Sequence, residues 1–123
     1  MNNIYDRMKL ALNIIIGNKG DGWFVIMEEP DSEKFVQFAF DEDSGLYFDC
    51  PIMAFSDDEL RAAHRVMKRF GVSFDDPKAD QDFSSINTDV GFDAELGAQI
   101  ASAFFREVFL FSDNVSFNIE ISR

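Results

Sequence analysis

Ile4, Met8, Leu12 and Ile15 recur at helical spacing, so the chain is expected to open with an amphipathic helix that stops near Gly17. The pattern then changes. Residues 23–27, 35–40 and 46–50 are short runs of large apolar residues, separated by turn-forming stretches at 28–32 and 41–45 and closed by Pro51. They predict a three-stranded antiparallel meander, with Gly45 free to take positive φ in the second turn. Ser56 and Glu59 have the spacing of a capping box. Leu60, Ala63, Met67 and Phe70 follow as one helix face, with Gly71 as the stop. Residues 72–74 and 83–90 read as two short strands around a polar loop. Asp93 is placed to cap a third helix, whose stripe is Leu96, Ile100, Ala103, Phe104, Val108 and Phe111. Phe105 and Phe109 widen that stripe. Finally, Val115, Phe117, Ile119 and Ile121 alternate with polar residues, which predicts a strand with one wet face. The expected fold class is α+β, an antiparallel sheet with a three-stranded meander between helices, in the order α-β-β-β-α-(β-β)-α-β. No linker or repeat divides residues 1–123, so a single domain is expected.

The meander strands do not alternate cleanly. Trp23, Val25 and Met27 face one way while Phe24 and Ile26 face the other. Phe35 and Ala39 oppose Val36, Phe38 and Phe40. Both sides of the meander are therefore apolar. The first and third helices are expected to cover one side, leaving the other to the second helix and loops, and in part to another copy or a bound peptide.

Composition narrows the function. A length of 123 residues with 46% apolar content is enough for one folded core. Twenty-three acidic residues against eleven basic ones give a net charge of −12, which disfavours binding to nucleic acid. The charge is uneven. Residues 21–59 hold twelve acidic groups and one basic group, whereas Arg61, Arg65, Lys68 and Arg69 make the second helix basic. Such an acidic surface either solubilises the chain or docks a basic partner. No apolar run approaches the ~18 residues of a membrane span, so no membrane association is expected. Asn13 interrupts the short apolar stretch after Arg7 and Lys9, which argues against a signal peptide. A single cysteine, Cys50, excludes an internal disulfide and points to a cytoplasmic location.

Little of this is catalytic chemistry. His64 is the only histidine and there is no cysteine pair, so no zinc site, other metal or cofactor is expected. A Cys50–His64 couple is disfavoured because Asp49 beside Cys50 raises the thiol pKa. Counting twelve positions from Asp41 reaches Ile52 rather than an acidic ligand, so residues 41–45 are a hairpin turn and not a calcium loop. Fifteen phenylalanines are first of all core residues, with some free to line a groove or a dimer seam. The candidate partner-contacting residues are Trp23, Phe35, Phe38, Phe40, Tyr47 and His64.

Lys34-Phe35-Val36-Gln37-Phe38, the stretch from Ser56 to Leu60, and Phe105-Arg106-Glu107-Val108-Phe109 carry a resemblance to the TY-Chap superfamily, the small acidic domains related to type III secretion chaperones. The resemblance implies a secretion chaperone-like fold and a non-catalytic, peptide- or protein-binding role, often as a homodimer. Secretion chaperones typically end in a helix, whereas this chain is expected to end in the strand 115–121, and no binding residue is carried over from them. The alternative function is an acidic immunity or inhibitor protein that blocks a basic toxin or nuclease.

Overall fold

In the computed structural model, residues 3–18, 22–71 and 85–123 are described. The element order is α1 (Ile4–Asn18), β1 (Trp23–Glu29), β2 (Lys34–Asp41), β3 (Gly45–Pro51), α2 (Asp57–Arg69), β4 (Ser85–Gly91), α3 (Ala94–Ala103), a π-helical turn (Phe104–Val108) and β5 (Asn118–Ser122). The strands form one antiparallel sheet in the order β4-β3-β2-β1-β5. The α+β class, the meander and the three helices are as the hydrophobic pattern predicts. The expected strand at 72–74 and the loop after it lie outside the described residues.

Side-chain polarity at the turns explains where the meander folds. The Glu29 carboxylate accepts the backbone N–H groups of Asp31 and Ser32, at 2.8 and 2.9 Å, and thereby closes the β1–β2 turn. The Asp41 carboxylate does the same for Asp43 and Ser44, at 2.8 and 3.0 Å. Gly45 follows with φ at 87°, and a Cβ there would lie 2.4 Å from the carbonyl carbon of Gly91. Only glycine meets both conditions.

The helices start where the sequence places their caps. Ser56 Oγ accepts from Glu59 N, and Glu59 Oε1 accepts from Ser56 N, so both halves of the capping box are present. Asp93 caps α3 by accepting from Leu96 N at 3.0 Å. After Ala103 the helix widens to a π-turn, in which Phe109 N donates to Phe104 O. The extra residue in the turn rotates the apolar stripe. Phe104, Phe105, Val108 and Phe109 are all buried around this turn.

The core is one cluster on one side of the sheet. Val25, Met27, Val36, Phe38, Phe40, Leu46, Phe48, Cys50 and Ile86 point into it from the strands. Ile4, Met8, Leu12 and Ile15 enter from α1, Ala62, Ala63, Val66 and Met67 from α2, and Ala98, Ile100 and Ala101 from α3. Edge-on ring contacts carry the packing from Phe38 through Phe48 and Phe104, at 5.4 and 5.1 Å between centroids. Phe105 extends it to Phe117 at 5.2 Å. This corrects the expected division of labour, because α2 does not cross to the second face of the sheet. Its apolar side is narrow and it shares the core with α1 and α3. Among the described residues no helix covers the opposite side.

Candidate functional site

Period-two alternation puts Phe24, Ile26 and Glu28 of β1 on the uncovered side, with Phe35, Gln37 and Ala39 of β2 and Tyr47 and Asp49 of β3. Asn87 and Asp89 of β4 and Asn118, Glu120 and Ser122 of β5 complete it. The strand register arranges these residues in rows. The first row runs Asp89, Tyr47, Ala39, Phe24, Ser122, and the second runs Asn87, Asp49, Gln37, Ile26, Glu120. Glu28 stands between Phe35 and Asn118 in the third. Phe24 is 44% exposed and Tyr47 is 38% exposed, and neither packs against the core.

An apolar spine over β1 and β2 is therefore flanked on both sides by carboxylates. Asp49 and Asp89 lie on the β3–β4 side, and Glu28 and Glu120 on the β1–β5 side. None of the described strand positions on this face is basic. Lys34 belongs to the other face, where its Nζ donates to Glu59 Oε2 at 2.9 Å. The one side-chain hydrogen bond within the second row runs from Gln37 Nε2 to Asp49 Oδ2 at 2.7 Å, which fixes that carboxylate. Partial burial, then the charges of Asp49 and Asp89, push the Tyr47 hydroxyl above its ordinary pKa, so it is a neutral donor at physiological pH. Because Ala39 is small, it leaves a shallow cavity of about 290 Å³ lined by Phe24, Gln37, Ala39, Tyr47 and Asp49. At the far end of the spine, Phe35 also lines a groove of about 500 Å³ with Pro51, Met53, Phe55 and Phe109. Met53 is 85% exposed there.

The six residues singled out from the sequence divide between the two sides. Phe35 and Tyr47 are on the open face. Phe38 and Phe40 are buried beneath the helices. Trp23 is half-buried on the helix-covered side, with the Arg123 guanidinium 5.7 Å from its ring centroid. His64 is half-buried on α2. Phe24 and Ile26 were legible as facing away from Val25, and that alternation is the signal that places them at the centre of the open face. The carboxylate frame is a property of strand pairing, and no local pattern announces it.

Cys50 has no nucleophile's environment. Its thiol is buried and lies 3.6 Å from the Phe35 carbonyl and 3.8 Å from that of Pro51. Burial, then Asp49 and Glu59, push its pKa well up, the opposite of activation. Among the described residues no group of three or more His, Cys, Asp or Glu is placed to hold a metal ion, and no helix is long and apolar enough to cross a membrane. Comparison with protein-family models, curated proteins and solved structures gives no match to this chain.

Proposed function

We propose that this protein is a non-catalytic, chaperone-like module of the cytoplasm that binds another protein or peptide on the open face of its sheet. One observation carries the reading. The row Tyr47–Ala39–Phe24, continued by Ile26, is apolar, partly exposed and unclaimed by the core. Contiguous apolar surface of this kind marks interaction sites on folded domains. The resemblance to the TY-Chap superfamily supports the same role. The carboxylates around the spine favour a second reading, an acidic inhibitor that occupies a basic toxin or nuclease.

The test is made in the native cell. The wild-type chain and a Phe24→Ser/Tyr47→Ser variant are recovered and their native masses compared. A stoichiometric complex with the wild type, replaced by the free 14.0 kDa chain in an equally stable variant, is the expected result. Identical partner occupancy in both would remove the open face from the reading.

A further inference from the structure

We infer that the occupant of this face is an amphipathic helix of a separate protein, apolar on one side and flanked by Lys or Arg, rather than a second copy of this chain. The inference rests on the docking role just proposed and adds the partner's chemistry to it.

Charge argues first. Glu28, Asp49, Asp89 and Glu120 frame the spine, and none of the described strand positions on this face is basic. Two copies stacked through this face would bring both sets of carboxylates into a drying seam without counter-charges, on chains of net charge −12. A partner with basic flanks converts the same four groups into charge-assisted contacts.

Size argues second. Five strands at about 4.8 Å spacing, with three alternating rows, give a footprint of roughly 400 Å², about half of what each partner contributes to a standard interface. A helix is about 10 Å across, so one lying along β1 and β2 covers the spine, with Asp49 and Asp89 beyond one flank, Glu120 beyond the other and Glu28 beneath it on β1. A strand added at the β5 edge would leave Tyr47, Ala39 and Phe24 uncovered. The cavity above Ala39, walled by the Phe24 and Tyr47 side chains, receives one branched apolar anchor from the helix.

Two synthetic helical peptides with the same leucine stripe, one flanked by lysines and one by glutamates, test this against the full-length protein. Binding is located by amide chemical shifts and measured at low and high salt. The lysine peptide is expected to shift Phe24, Ile26, Ala39 and Tyr47. It should bind at least tenfold more weakly to Ala39→Met, which fills the cavity without changing charge. A similar loss is expected for Asp49→Asn/Asp89→Asn, together with a flatter salt dependence. If the glutamate peptide binds the same residues equally well, the basic partner is wrong and the docking face stands. A dimer that Ala39→Met dissociates would likewise replace the helix by a second copy. If neither peptide shifts those residues, both the partner and the docking face are overturned.

Discussion

Phe24 of β1 and Tyr47 of β3 stand in one row of the sheet with only Ala39 between them, on the side that none of the described helices covers. One residue away along each strand, Val25 and Phe48 lie at the centre of the core. A single-residue step along the chain therefore separates a structural position from a docking position, and substitutions at the two should behave differently.

Phe38 is fully buried against Phe48, so Phe38→Asp places an unpaired carboxylate in the core and should unfold the chain, a loss of several kcal/mol. Phe24→Ser and Tyr47→Ser should each change stability by less than about 1 kcal/mol. Thermal unfolding followed by circular dichroism distinguishes the two classes. A large loss at positions 24 and 47 would mean that their side chains are packed.

The backbone provides a second contrast. Gly45→Ala forces a Cβ against Gly91 at positive φ, and should cost about 2 kcal/mol or more. Leu110 sits at φ 62° and is 79% exposed, so little packing is lost on replacement. Leu110→Gly relieves the left-handed strain of a branched residue and should leave stability unchanged or raise it by about 0.5 kcal/mol. Urea midpoints measured on both variants check the pair.

Glu59 joins α2 to the sheet. One carboxylate oxygen completes the capping box with Ser56 N, and the other accepts from Lys34 Nζ at the start of β2. Glu59→Ala should cost about 1 kcal/mol or more. Lys34→Ala removes only the partly exposed ion pair and should cost about 0.5 kcal/mol. Equal losses in equilibrium unfolding would contradict the assignment of the larger part to the cap.

Acid should destabilise the fold. Hydrogen bonds from Asp31 hold the Glu29 carboxyl below its ordinary pKa, and those from Ser44 and Asp43 do so for Asp41. Glu59 is lowered by Ser56 and Lys34 against the opposing effect of burial, and Glu107 chiefly by Arg69. Each folded-state value lies below the unfolded value of about 4. The unfolded chain therefore binds more protons in that window. The stability these groups contribute is fully present above about pH 5 and is lost as pH falls through their native values. Urea unfolding between pH 6 and 3 should show a falling midpoint. A rising one would mean that relief of the net negative charge outweighs these bonds.

Much of the fold was legible because its signals are local. The capping box at Ser56 and Glu59, the Asp41 turn and the helix stripe through Ile4, Met8, Leu12 and Ile15 need no tertiary information. So does the alternation of Phe24 and Ile26 against Val25. The π-turn was hidden, because a widened stripe such as Phe104-Phe105 and Val108-Phe109 reads equally as a broad α-helical face. The position of α2 was also hidden. Its apolar face fits either side of a sheet, and the choice is made by packing with the π-turn, held at one end by the Arg69–Glu107 ion pair. The grouping of Glu28, Asp49, Asp89 and Glu120 depends on register across five strands, beyond the reach of any window along the chain.

Cysteine accessibility tests the central claim most directly. In the isolated protein, Cys50 is buried and serves as an unreactive internal reference. A cysteine introduced by Phe24→Cys should be alkylated orders of magnitude faster than Cys50, and should become protected when the lysine-flanked helix is added. Labelling at position 24 as slow as at Cys50 would show that this side of the sheet is already covered, and the open face would be lost with it.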